Sequence, residues 1–344
     1  MNIEIVDPTV HPNWDALILS HPSYSFFHSS AWARVLHEAY GYKPLYFTIF
    51  DGDAIAACLP VMEVNSFITG KRGVSLPFTD YCEPLIHNMI QFEALFSQVK
   101  EYGKKSGWKY IELRGSQQFL GTTTPSAAFI GHTVDLTPGP DALLSALRDS
   151  TRRNIKKAEK EGVEIAVSDT FTAIAQFYQL NGITRKYHGL PPQPFRFFRL
   201  LQRHVIAQGL GCVVQASHQG KPIASAVFFQ FGSKALYKYG ASDLDRQELR
   251  ANNLVMWEAM KRFSERGLTA LCFGRTDVAH DGLRQFKSGW STEEHTINYY
   301  RYDLRQNAFA SEVPQVNGFS KTIFGKLPVP VLNAIGSLAY RHMG

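Results

Sequence analysis

The stretch FGRTDVAHDGLRQFKSGWSTEE, residues 273 to 294, finishes an apolar strand in a loop that carries Arg275, Asp277, His280 and Asp281. A short helical piece follows and presents Phe286 and Lys287 just ahead of a Gly289-Trp290 turn. A lysine set between aromatics at the end of a buried strand suits the holding of a carboxylate or phosphate and the stabilising of negative charge. Lys287 is the first candidate for that role, with Phe286 and Trp290 beside the substrate; the same lysine also reads as a solvated side chain on a helix. Arg275 stands where the strand exits. Its guanidinium can grip a phosphate or carboxylate with two parallel bonds, or pair with Asp277 or Asp281. A second cationic group, Arg152, Arg153, Lys156 and Lys157, follows Ser150 within about three helical turns. It can collect the phosphates of a nucleotide-sugar, a lipid pyrophosphate or tRNA, or form a solvated face. Aromatics of the kind that stack on bases do not interleave with it, which gives RNA less weight.

Composition sets the frame for these groups. The chain has 344 residues, 44% hydrophobic and 19% charged, with a net charge of +6 and a pI near 9.0. That describes a globular protein with ample core and a mild bias toward anionic ligands. Cys58, Cys82, Cys212 and Cys272 have neither metal nor redox spacing, so buried thiols are expected and a metal centre is not. The first residues, MNIEIVDPTVHPNWD, lack the basic start and apolar run of a signal peptide, and no window reaches the length of a spanning helix. A cytoplasmic protein is expected, with no cofactor.

One order of elements occurs twice. KPLYFTIFDGDAIAACLPVMEV and GCVVQASHQGKPIASAVFFQF each read as two strands around a tight turn. A third strand and polar loop follow, GVSLPFTDYCEPLI and KALYKYGASDLDR. Next come the helices FEALFSQVKEYGKKSG and NNLVMWEAMKRFSERG, each stopped by a glycine, Gly107 or Gly267. Each runs into an apolar strand, WKYIELRGS or LTALCFGRT. The helix-ending glycines lie about 160 residues apart, and the hairpin glycines about 170, an offset that argues for duplication. The expected architecture is α/β (α+β): two mixed, mostly antiparallel sheets flanked by helices, over residues 1–140 and 141–305. A tail at 306–344 would carry an amphipathic helix with Leu332, Ile335, Leu338 and Ala339 at helical spacing, docked on the body or touching a membrane or partner.

STRRNIKKAEKEG, LYKYGASD, the helix ending at Gly267 and FGRT…GLRQFKSGW together resemble the FemAB-like transferases, which have tandem GNAT folds. FFHSSAWARVLHEAYGYKPLYFTIFDGD and GVSLPFTDYCEPLI look like the first domain of the same family. The ending FGKLPVPVLNAIGSLAYRHMG is similar to a branch that accompanies exosortase/PEP-CTERM and exopolysaccharide systems. The resemblance implies transfer of an acyl or aminoacyl group onto an amine of a cell-envelope precursor, peptidoglycan or exopolysaccharide. It places Lys287 in the acceptor site. The implied partners are a nucleotide-linked or lipid-linked saccharide or peptide precursor and an aminoacyl-tRNA or acyl-CoA donor, with peripheral contact of the inner membrane through the tail.

Such a transfer needs a neutral amine, alignment of the reactants, and donors for the developing oxyanion. Splayed strands can supply those donors from backbone N–H groups. Tyr239 can donate to the leaving group and Asp243 can accept the amine's proton, or the two are a core aromatic and a turn former. Lys238 alternates with Tyr239 and so points to the other face. Asp80 and Tyr81, at the equivalent place in the first half, suit acceptor binding or loop packing. Where acyl-CoA enzymes carry a glycine-rich pyrophosphate loop, this chain reads Gln247-Glu248-Leu249-Arg250-Ala251-Asn252. The missing glycines count against coenzyme A in its usual mode. An acyl-CoA-dependent N-acyltransferase of an amino sugar and a non-catalytic, membrane-docked binding protein are the alternatives. His188 and His280 read as surface groups.

Overall fold

The computed structural model describes residues 2–311 and 324–344, so the part of the tail at 312–323 lies outside the described residues. The chain divides into two compact units. Unit 1 holds residues 2–130, 296–311 and Tyr340–Gly344; unit 2 holds Gly131–His295 and 324–339.

Unit 1 begins with β1 (Glu4–Val6), α1 (Trp14–Leu19) and α2 (Ser30–Tyr40). The hairpin β2 (Lys43–Asp51) and β3 (Ala54–Ser66) comes next, then β4 (Gly70–Val74), α3 (Met89–Lys105), β5 (Tyr110–Arg114) and the single turn α4 (Gln117–Leu120). Neighbours β1 to β4 pair antiparallel in chain order, and β4 pairs β5 in parallel. Helix α3 shows why its sequence is helical: Phe92, Leu95, Phe96 and Val99 recur at i, i+3, i+4 and i+7, and all are buried. They join Leu45, Phe47, Leu59 and Trp108 in the core of this unit.

Unit 2 repeats the plan. β6 (Ala127–Asp135) leads into α5 (Pro140–Ala146) and α6 (Asp149–Lys160), then β7 (Glu164–Ser168), α7 (Phe171–Tyr187) and α8 (Phe195–His204). The hairpin β8 (Gly211–His218) and β9 (Lys221–Phe231) precedes β10 (Lys234–Ser242), α9 (Ala251–Glu265), β11 (Ala270–Asp277) and α10 (Asp281–Ser288). Strands β7 to β10 pair antiparallel in order, and β10 pairs β11 in parallel. The hairpin, third strand, helix and fourth strand expected in each half are all present, and the structure adds that the fourth strand pairs in parallel. All four cysteines are buried thiols.

The sequence reading contained neither β6 nor β12 (Glu293–Asp303), and their placement is the main surprise of the topology. The strand beside β5 is β12, paired antiparallel through Tyr299–Asp303 and flanked by β13 (Ala308–Ala310). The strand beside β11 is β6. Each unit's last strand is thus drawn from the chain next to the other unit. The helix Val329–Ala339 belongs to unit 2, where it buries Leu332 and Gly336. A side chain at Gly336 would strike the Pro192 carbonyl, so that close approach requires glycine. Among the described residues no helix is long and apolar enough to cross a membrane.

Candidate functional site

Strands β10 and β11 run side by side only briefly. Their parallel register covers Lys234–Leu236 against Ala270–Cys272, while β10 continues to Ser242 and β11 to Asp277. A register shift between Tyr237 and Tyr239 puts a bulge at Lys238 on the β9 side. Past Leu236, among the described residues, the facing edges of the two strands form no ladder, so backbone groups are left for something else to use.

Near the end of β11 two backbone carbonyls are met by Lys287. Its Nζ donates to the carbonyls of Gly274 and Arg275, each at 3.1 Å. Successive carbonyls of a regular strand point in opposite directions. Gly274 has φ 67, a left-handed value open to glycine, and this kink is what lets two neighbouring carbonyls meet one ammonium. Lys287 is only 2% exposed. The structure therefore buries, against the end of β11, the residue expected to clasp a substrate anion. Trp290, expected beside the substrate, is 0% exposed. It lies 5.9 Å from the Phe286 ring and 6.4 Å from the Phe273 ring, and so fastens α10 to the core. Arg275 is exposed on β11.

A cavity of about 160 Å³ lies in unit 2 where β9, the end of β10 and the start of α9 meet. Asp243, Arg246, Arg250, Asn253 and Phe286 are among its lining residues. Arg250 precedes α9 with φ 58 and ψ 25, and among the described residues no side chain caps the helix. The left-handed turn that a glycine would make is made here by an arginine, at a cost of about 1 kcal/mol. The turn into the helix survives without its glycines, and its backbone N–H groups, the helix dipole and two guanidiniums together favour an anion. Asp243 lines the cavity and also shapes it: its carboxylate accepts from the N–H of Asp245 at 3.1 Å. Tyr239 faces elsewhere, its ring 5.5 Å from Phe198 and 6.3 Å from Phe197. Tyr239 and Asp243 are not brought together.

The basic helix α6 buries Thr151, Ile155 and Ala158 and exposes Arg153, Lys156 and Lys157. Arg152 is turned back on the carboxylate of Asp149. The start of this helix is tied to the end of α10, since the Arg148 N–H donates to Gly289 O at 3.2 Å. A Cβ at Gly289 would come within 2.7 Å of the Thr151 hydroxyl, so a side chain there would oblige Thr151 to move. The basic residues are not among those lining the cavity.

Asp80 and Tyr81 lie in unit 1. The Asp80 carbonyl accepts from the Tyr299 hydroxyl at 2.8 Å, and the Tyr81 ring meets Phe27 edge-on at 6.2 Å. Close by, Glu112 receives Arg114 at 2.9 Å and Arg301 at 3.1 Å. Burial pushes the Glu112 carboxyl up, but the two guanidiniums outweigh it and its pKa ends below the usual value.

Sequence reasoning missed a second polar group in unit 2. His132 on β6 is fully buried, and its Nε2 lies 3.0 Å from Glu294 Oε1. Arg284 on α10 grips the same carboxylate with two parallel bonds, at 3.0 and 2.7 Å. That grip, chiefly the hydrogen bond, holds Glu294 down at about 2. Burial, and then the Lys287 charge, push His132 below its ordinary 6.5. For both groups the folded pKa lies under the unfolded one, so each contributes stability that is lost as pH falls. Unit 2 should lose stability as pH drops below about 6.5, and again from about 4.5 toward 2. Urea midpoints measured across pH check this. In His132→Gln the step near 6.5 should shrink to the part due to His295, which burial also pushes down, and the acid step should remain.

Comparison with known proteins follows from this geometry. Residues 145–288 match the family described as Acetyltransferase (GNAT) domain, a stretch that includes every residue lining the cavity. Over 111 residues, 32% of this chain, the sequence is 27% identical to the UDP-N-acetylmuramoylpentapeptide-lysine N(6)-alanyltransferase of Weissella viridescens. That match spans 33% of the relative's length. Among solved structures the chain resembles FemX with a TM-score of 0.73 at 16% identity, covering 89% of this chain and 98% of that one. It resembles a tandem GNAT protein of the clavulanic acid pathway at 0.56 and 10% identity, covering 88% and 99%. L-PGS of Bacillus licheniformis gives 0.55 at 12% identity, covering 88% and 94%. At these identities the likeness to the solved structures is one of fold, two GNAT-like α/β units, and the match to the acetyltransferase (GNAT) domain falls within the second.

Proposed function

We propose that this chain is a FemAB-like acyltransferase that forms an amide on an amine of a peptidoglycan or exopolysaccharide precursor, in the manner of the branch associated with exosortase/PEP-CTERM systems. The reading is carried by the gap between β10 and β11, which opens beside a cationic cavity at an uncapped helix start. The amine nitrogen attacks the donor carbonyl, a C–N bond forms, and the ester C–O or thioester C–S bond breaks. The amine's proton goes to a base, and the leaving hydroxyl or thiol regains one. Asp243, lining the cavity, is our choice for the base. Backbone N–H groups at the gap stabilise the oxyanion, and Arg246 and Arg250 hold the phosphate of the donor. Lys287 acts by fixing the β11 rim and touches no substrate in this scheme. Peripheral contact with the inner membrane would bring such an enzyme to a lipid-linked acceptor.

The resemblance to the FemAB-like transferases implies an aminoacyl-tRNA donor, and the relative's name gives alanyl as the group that it transfers. The matched acetyltransferase (GNAT) domain favours acyl-CoA. One experiment separates them. The purified chain is incubated with UDP-N-acetylmuramoylpentapeptide and either alanyl-tRNA or acetyl-CoA, and product mass is followed. The expected product gains one alanyl group from alanyl-tRNA, and Arg246→Ala/Arg250→Ala slows its formation about 10- to 100-fold. Product from acetyl-CoA alone selects the second donor. No product and no binding of either donor would end the enzymatic reading.

A further inference from the structure

The hairpin of β3 and β4 in unit 1 ends in an apolar tip. Phe67 is 88% exposed and Ile68 64%. These side chains stand on a locked turn. Ser66 Oγ accepts from the N–H of Ile68 at 3.2 Å and of Thr69 at 2.9 Å, and Lys109 Nζ donates to the Thr69 carbonyl at 3.1 Å. The segment Tyr340–Gly344 is clamped against the same turn. Its His342 Nδ1 lies 2.9 Å from Ser66 Oγ, and the Phe67 ring meets the His342 ring edge-on at 4.6 Å. Buried Arg72 donates to the Gly344 carbonyl at 2.8 Å and to the His342 carbonyl at 2.9 Å. Met343, between those two anchors, is 56% exposed.

The segments that build this tip are basic in sequence, and Lys109 reaches the turn itself. Lys71, Lys109 and Arg341 belong to the three segments that build it, while residues 64–79 and 340–344 contain no aspartate or glutamate. The nearest carboxylate along the hairpin, Glu63, accepts from Trp108 Nε1 at 2.7 Å.

We propose that the Phe67–Ile68 tip, with Met343, docks this protein on an anionic lipid surface. Apolar side chains on a turn that is already ordered can enter the headgroup layer without a further ordering cost, and a basic rim is attracted to anionic lipid over about a Debye length. Two adjacent apolar side chains on a hairpin tip offer depth rather than area. That suits insertion between headgroups and not a stable protein interface, which buries roughly 800 Å² on each partner. The inference stands on this surface alone and is independent of the transfer reading.

Flotation of the full chain with vesicles tests it. The chain should float with phosphatidylcholine/phosphatidylglycerol vesicles at low salt, and much less with phosphatidylcholine alone or at high salt. Phe67→Ser/Ile68→Ser should weaken flotation at least about tenfold, with only a small drop in the thermal melt, because both side chains are largely exposed and the loss is confined to the Phe67 contact with His342. Lys71→Glu/Lys109→Glu should abolish the preference for anionic vesicles. A wild-type chain that stays in the soluble fraction with both vesicles overturns the proposal, as it would if the tip served a protein partner. Equal flotation of the Phe67→Ser/Ile68→Ser variant overturns it too.

Discussion

Lys287→Met should lower stability by about 2–4 kcal/mol and slow transfer at least about 100-fold. The Nζ of Lys287 is the partner of two neighbouring carbonyls near the end of β11. Methionine fills a similar volume but donates nothing, so both carbonyls stay desolvated without a bond, at about 1–3 kcal/mol each. Part of that loss is offset because a buried cation no longer has to be desolvated. The kinetic effect follows from place. A rim that moves by even an ångström misaligns donor and amine, and near-attack geometry is worth orders of magnitude in rate. Urea titration and single-turnover transfer read the two effects separately. Wild-type values in both would remove Lys287 from any part in the site. Loss of transfer with full stability would instead put its ammonium in contact with substrate, as the sequence reading expected.

Trp290→Ala should cost about 3–5 kcal/mol, the range for truncating a fully buried tryptophan. Its ring closes the core of unit 2 beneath α10, against Phe273 and Phe286. Losing it would leave a void at the base of the helix that carries Lys287 and Arg284. Trp290→Phe is the informative control. The indole Nε1 is buried without a hydrogen-bond partner among the described residues, so phenylalanine gives up no bond. It should cost about 1–2 kcal/mol, mostly for unfilled volume. A denaturant midpoint for Trp290→Ala equal to that of Trp290→Phe would show that the site collapses around the smaller side chain. Since Phe286 lines the cavity, the alanine variant should also weaken donor binding.

The sequence by itself determined the elements that local chemistry specifies. Hairpins form where alternating apolar residues flank Asp51-Gly52-Asp53 and Gln219-Gly220. Helices α3 and α9 end beside Gly107 and Gly267, whose φ values of 73 and 76 close them. The buried side of α6 was legible from Ile155 and Ala158, because a 3.6-residue period marks a face wherever the helix packs. Lys287 was legible as unusual: a cation between aromatics after a strand is a local pattern. Its burial was not, because that depends on Gly274 turning two carbonyls toward it. The cavity at Arg250 was hidden for a similar reason. A non-glycine residue in a left-handed turn is held there by what surrounds it rather than by its own preference.

Only the tertiary structure decided which strand completes which sheet. β6 and β12 pair with strands far from them in the chain, and the choice rests on contacts made after long loops close. The same closure pairs His132 with Glu294, 162 residues away. Periodicity and turn chemistry act over a few residues and so write the elements directly into the chain. A buried ion pair or a strand partner is set by packing between distant segments, and no local spacing encodes it.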